Sequence, residues 1–253
     1  MRYVSGFFCL ALLSVVGSLS AQSASGLEVQ YHCVFNHLYD RGSQPIPYFA
    51  TLRTGDAGTY FYAVRDPSVV IPSSPEDANI DPDTLMRVRR YPSQQQMLFG
   101  AITLTGKEIL YRDSLHAVQW NLTEEQRMID SLTCFKAQAF FRGRSYLAWY
   151  APSIPVQEGP WKLSGLPGLV IEAYDEKKDL YFLAKTIRPL GSAPVFPHAV
   201  DIAQCPGFPE YVGLWKNYLQ RMKAAVSAGA DPNCIQCQTE SQVKIYLWEK
   251  VLD

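Results

Sequence analysis

Charge is scarce in this chain: Asp, Glu, Lys and Arg make up 19% of its 253 residues and cancel to a formal net charge of −1. Such a balanced surface sets up no long-range field, which argues against nucleic acid and against an anionic membrane face as partners. Long apolar runs are missing as well. Beyond the first twenty-odd residues nothing approaches the ~18 consecutive apolar residues of a membrane span, so no integral span is expected. The four histidines, His32, His37, His116 and His198, are scattered. Neither a Ser-His-Asp spacing nor an H-E-x-x-H helix occurs, so hydrolase chemistry has no visible carrier. The adjacent carboxylates Glu124-Glu125 and Asp175-Glu176 lie in charged stretches that are ordinarily solvated, and no pair stands out as general acid and base.

What is present points to export and to β structure. Residues 1–21 combine an early Arg2, an apolar stretch from Gly6 to Val16 and small residues at Ser18, Ser20 and Ala21, the pattern of a secretory signal peptide. The expected product is one β-rich domain over 22–253, with a helical, cysteine-containing extension from about residue 205. Its expected location is periplasmic, outer-membrane-associated or secreted. Five cysteines remain after the leader: Cys33, Cys134, Cys205, Cys234 and Cys237. In an oxidising compartment an odd number leaves one thiol free or bound to something.

Aromatic residues make up 13% of the chain, with 15 Tyr against 12 Phe, a bias that suits half-buried sheet positions. Alternating stretches predict strands at "LEVQYHCVF", in a hairpin over "PYFATLRTGDAGTYFYAV", and in a pair within "QQQMLFGAITLTGKEILYRDSL". A further hairpin turns at Arg142-Gly143-Arg144, and another joins "LVIEAYDE" to "LYFLAKTI". The proline-rich stretch from Asp66 to Asp83 reads as a loop. Tyr211, Leu214, Trp215, Tyr218, Leu219, Met222, Ala225 and Val226 line one helical face that ends at Gly229 and Pro232. The terminal "QVKIYLWEKVLD" has both a helical and a strand reading. The fold class expected is mainly β (α+β): a curved antiparallel sheet or half-barrel with one or two C-terminal helices packed on it.

Between Arg127 and Ile187 several motifs occur in order: Cys134 with Lys136, the "FRGR" turn, "AWY", Ile154-Pro155, "GPWK", and the hexapeptide Gly165-Leu166-Pro167-Gly168-Leu169-Val170. This block resembles the central region of the GLPGLI family, exported proteins of Bacteroidetes without an established enzymatic activity. The resemblance implies an address more than a chemistry. The C-terminal third, with its tryptophan-bearing helix and "CIQC", lies outside it.

The hexapeptide lacks the Lys and Ser/Thr of a phosphate loop. Gly165, Pro167 and Gly168 read as a structural turn with packed leucines, the alternative being the mouth of an apolar pocket. Trp149, Trp161, Leu166 and Leu169 are the candidate ligand groove, or else core. Arg142 and Arg144 are ordinarily solvated turn residues, with a carboxylate or phosphate clamp as the alternative. The pair Cys234-x-x-Cys237 follows a helix in a chain with no βαβ pattern, which disfavours a thioredoxin-type dithiol. Cys205 with Cys234 or Cys237, and Cys33 with Cys134, are candidate disulfides; His198 and Cys205 added to the pair would make an irregular zinc or copper site. No cofactor is expected. The reading these residues support is a binding or accessory protein of the envelope, holding an apolar ligand or a segment of an envelope partner. The competing readings are a thiol-disulfide oxidoreductase and a metal-binding module.

Overall fold

Eleven strands hydrogen-bond into a single sheet in a computed structural model that describes residues 26–35, 46–66, 68, 84–102, 108–115, 118–191 and 200–229. In chain order the strands are β1 (Gly26–Phe35), β2 (Ile46–Gly55), β3 (Gly58–Arg65), β4 (Thr84–Tyr91), β5 (Gln96–Ile102) and β6 (Glu108–Ser114). Then follow β7 (Asn121–Ile129), β8 (Leu132–Phe141), β9 (Arg144–Ala151), β10 (Leu169–Asp175) and β11 (Leu180–Leu190), and a helix, α1 (Phe208–Gly229). The spatial order is β6-β5-β4-β3-β2-β1-β11-β10-β9-β8-β7, antiparallel throughout. Two meanders, β1–β6 and β7–β11, are therefore welded where the first strand pairs with the last.

Chain length forces this sheet to curl. Laid flat at ~4.8 Å per strand, eleven strands would separate the edge strands β6 and β7 by about 48 Å. Only residues 115–120 join Ser114 to Asn121, and that link reaches at most about 25 Å when fully extended. The edges must approach each other, giving a rolled sheet that does not close. Bulges sharpen the bend: the register shifts between Gln30 and Tyr31, Ala63 and Val64, and Val170 and Glu172.

Alternation then sorts side chains to two faces. Val29, Tyr31, Cys33 and Phe35 of β1 point inward, as do Ala137, Ala139 and Phe141 of β8 and Tyr146, Ala148 and Tyr150 of β9. On the outer face Glu28 lies between Arg53 of β2 and Arg188 of β11, both bonded to it at 2.8 Å. Burial alone would raise the Glu28 carboxyl, but the two guanidinium groups outweigh it and hold the group below the usual glutamate range.

The expected hairpins and the helix are present, and the sheet is curved as the alternation implied. Two strands were not anticipated. In β4 the run Arg87-Val88-Arg89-Arg90 hides the period, because Arg90 points inward to a partner inside the sheet. In β7 three residues, Thr123 to Glu125, face one residue of β8, so the polar "NLTEEQRMI" loses its alternation. The helix packs on the sheet as expected. It meets the sheet mainly at β6, through Phe208 and Tyr211 stacked around Tyr111 with ring centroids 5.7 and 4.1 Å away. Leu214, on the expected apolar face, is half exposed. The proline-rich loop and the terminal "QVKIYLWEKVLD" fall almost wholly outside the described residues.

Candidate functional site

The longest loop described joins β9 to β10, residues 152–168, and it turns into the sheet rather than away from it. Gly159 to Ser164, Leu166 and Gly168 are buried, while Gly165 and Pro167 reach the surface. The loop holds its own shape through Gly165 N–H to Gln157 O (3.0 Å), Leu169 N–H to Ile154 O (3.0 Å) and Val170 N–H to Glu158 O (2.9 Å). Gly168 N–H closes a three-residue turn on Leu166 O at 2.8 Å. Gly168 has φ +153°, and a Cβ there would stand 2.4 Å from Ala151 O. Only glycine fits. The hexapeptide thus turns at Gly168, with Leu166 and Leu169 buried on either side of Pro167 and Gly168. Leu166, Leu169 and Trp161 are all fully buried in the core rather than lining an open groove.

Trp161 adopts φ +52°, a left-handed conformation that is uncommon for a bulky residue and is held in place by its surroundings. Its ring packs on Phe141 and Tyr146, at 6.1 and 5.9 Å between centroids, and its carbonyl accepts from Arg90 Nη2. Arg90 also donates to Gly159 O (3.0 Å) and, from Nη1, to Glu158 Oε2 (2.8 Å). Glu158 Oε1 accepts from Thr59 Oγ1 at 2.6 Å. The N-terminal meander thereby grips a loop that belongs to the C-terminal one.

Lys162 makes the second grip. Its buried Nζ donates to Asp113 Oδ2 (2.8 Å) and Tyr111 Oη (2.9 Å) of β6. The rings of Phe99, Tyr111 and Phe208 surround it at 5.0, 4.8 and 5.3 Å. Arg142, at the β8–β9 turn, donates to both Asp113 oxygens at 3.1 and 2.9 Å, and its guanidinium lies over Phe208. Trp120 Nε1 donates to Ser164 O at 2.9 Å, so the 115–120 link is tied in too. A carboxylate with both oxygens taken by two cations, and a lysine set among a carboxylate, a phenol and three rings, act as tethers across the open seam.

The two arginines of "FRGR" are therefore not solvated. Arg142 clamps Asp113, and Arg144 Nη1 clamps Asp175 (2.6 Å) and Asp179 (3.0 Å), whose partner oxygen on Asp175 accepts from Leu180 N–H. The clamp grips the protein's own carboxylates. Asp175 correspondingly leaves the class of solvated turn residues.

Trp149 does not share a surface with Trp161. Its register neighbours are Lys136 and Glu172, which puts it on the outer face, with the Arg127 guanidinium 4.1 Å above the ring. Arg127 also pairs with Glu172, which accepts from Tyr181 Oη at 2.9 Å. The single groove of Trp149, Trp161, Leu166 and Leu169 is thus split between two faces by the two-residue period of β9.

Cys33, Cys134 and Cys205 are free thiols. A Cys33–Cys134 link is not formed: Cys33 faces inward on β1, Cys134 faces outward on β8, and β11, β10 and β9 lie between them. Strand spacing alone sets them about 19 Å apart along the sheet, against the ~4.4–6.8 Å between Cα atoms that a disulfide needs. Burial pushes the Cys33 thiol well up, and raises Cys134 despite the nearby Arg127. Cys205 is raised by burial and by Asp201, with Arg112 and Arg89 opposing. None of the three is tuned as a nucleophile. Cys234, Cys237 and His198 lie outside the described residues, and among the described ones no three His, Cys, Asp or Glu side chains gather as a metal-holding group. No helix among the described residues is long and apolar enough to cross a membrane.

Arg90, Glu158, Asp113 and Lys162 were not anticipated as a set. The only local signal is a lysine within "GPWK" and paired arginines in a strand; their meeting is a product of the roll.

Residues 142–172, from the "FRGR" turn to the middle of β10, match the model of a family described as a protein of unknown function (Porph_ging), one associated with Bacteroidetes. No curated protein matches the chain. Two solved structures described as PNGF-II, in space groups C2 and P21, are similar at TM-scores of 0.48 and 0.42, each with 14% identity, covering 76% and 70% of this chain. The aligned parts are 33% and 29% of those chains, so this chain spans about a third of their length.

Proposed function

We propose that this protein is an exported cell-envelope protein of the GLPGLI type with a binding or accessory role, engaging a partner segment on its surface. One observation supports the reading: the interior is filled by the chain's own loop, whose Glu158 and Lys162 pair with Arg90 of β4 and Asp113 of β6, while large apolar side chains of the β7–β8 hairpin stay exposed. Leu122, Met128 and Phe140 are 55%, 61% and 74% exposed, and all three belong to β7 and β8. Leu122 and Met128 share one row of β7, and apolar side chains left in water along an edge strand favour association. An interior ligand groove would need the loop to leave, at the cost of two buried ion-pair grips.

The test is expression of the full chain in a Gram-negative host, followed by fractionation and intact mass with and without thiol alkylation. A product in the envelope fraction lacking residues 1–21 supports the reading; an unprocessed cytoplasmic product overturns it. Alkylation of Cys33 should occur only after unfolding.

A further inference from the structure

The edges of a sheet are where its backbone groups remain open to another chain. At β6 the protein occupies its own edge: Arg112 N–H donates to Pro206 O at 2.9 Å, beside a parallel bridge to Gly207. At β7, among the described residues, pairing runs to β8 alone. The concave-side row of β7 is Leu122, Gln126 and Met128, opposite Ala137, Phe135 and Thr133, and its two apolar members are more than half exposed. The convex-side row includes Glu125 and Arg127, paired respectively with Lys136 (2.8 Å) and Glu172. Charge not taken up by those two pairs sits on Glu124 and, in the turn that follows, Asp130, both exposed.

We propose that β7 is a docking edge for an extended segment of a protein partner in which apolar and basic residues alternate. The inference rests on the binding role above and names the partner's chemistry. A strand laid along β7 would turn alternate side chains toward Leu122 and Met128, where apolar groups fit. The exposed charges of Glu124 and Asp130, left over once Glu125 and Arg127 are paired, give the edge a net acidic character that favours Lys or Arg at the remaining positions. The irregularity between Leu122 and Gln126 and the glutamates inside it are devices that keep an edge from indiscriminate pairing. A guard made of charge is selective rather than closed: it repels an acidic strand and admits a basic one. A second copy would bring the same acidic groups to the same rim.

The experiment uses the full chain and two synthetic nonapeptides, one alternating lysine with valine and one alternating glutamate with valine. Amide hydrogen exchange is followed peptide by peptide. With the lysine peptide, amides of residues 121–129 should exchange about tenfold more slowly, an effect that shrinks at high salt. The glutamate peptide should give none, and the double variant Glu124→Lys, Asp130→Asn should reverse that preference. Leu122→Ser should weaken protection without moving the melting temperature.

Several results would overturn the proposal: no protection with either peptide, equal protection with both, or protection confined to another segment. So would β7 amides already protected in the isolated dilute chain, which would mean that its own residues cover the edge, or protection that grows with protein concentration, which would mean a second copy. Should the lysine peptide fail while the processed chain still resides in the envelope and binds there through another surface, the docking edge falls and the binding role stands. Should the chain remain unprocessed in the cytoplasm, the envelope role falls whatever the peptides do.

Discussion

The two edges of the sheet have opposite fates. β6 is tied down from three directions: its backbone by Pro206, its inward Tyr111 by Phe208 and Tyr211, and its Asp113 by Lys162 and Arg142. β7, among the described residues, has only β8. The difference shows that the roll is secured at one lip. A rolled sheet with one lip pinned and filled, and the other carrying apolar side chains into solvent, has a built-in division between structure and surface.

Gly168→Val should break that division outright. The substitution drives a Cβ into Ala151 O at a backbone angle that only glycine tolerates, and releases the loop that holds both halves. Soluble yield should collapse, with a loss of more than about 3 kcal/mol in any material that folds; an unchanged melting temperature would refute the structural role of the turn. Next in size is Asp113→Ala, which leaves Lys162 and Arg142 facing each other without their carboxylate. A loss of about 3–5 kcal/mol is expected in urea unfolding, with faster amide exchange across β6. Phe208→Ala should cost about 3 kcal/mol and expose Tyr111 to quenching, because the cavity opens toward solvent and part of the transfer term is recovered. At the other lip Leu122→Ser should lie within about 0.5 kcal/mol of the parent.

Acid sharpens the contrast from a neutral position at the centre of the sheet. The Glu28 carboxyl is held below its usual range, so its stabilisation is present above the usual glutamate value and is lost as pH falls through the lowered one. Arg53→Ala removes one cause, and should move the acid-unfolding midpoint, followed by circular dichroism, to higher pH. Amides of β6 and β7 should feel that change equally, since Glu28 belongs to neither lip.

Much of the scaffold was legible because most strands are half-buried and alternate. β1, β2, β3, β8 and β9 each show the period directly, and the helix shows its stripe. β4 and β7 escaped because the period marks burial, not pairing: Arg90 is buried yet charged, and β7 is paired yet exposed on nearly every residue. The turn in the glycine-rich loop was legible from its glycines, two of which, Gly165 and Gly168, sit where φ is positive. Its place inside the sheet was not. That location depends on Arg90 meeting Trp161 and on Asp113 meeting Lys162, across separations of 71 and 49 residues that no local pattern encodes. The shared groove for Trp149 and Trp161 failed for a related reason: nearness in sequence does not choose a face.

The weld between β1 and β11 has a consequence for how the protein comes into being. Gly26–Phe35 can complete its ladder only when Leu180–Leu190 exists, so the first strand waits through the making of nearly everything else. For that interval Val29, Tyr31, Cys33 and Phe35 stand on a naked rim, in a topology of high contact order that folds slowly and is open to mispairing. The sequence least able to protect itself is synthesised first. Safe passage of this chain therefore depends on whatever shields a nascent β-edge until its C-terminal half arrives.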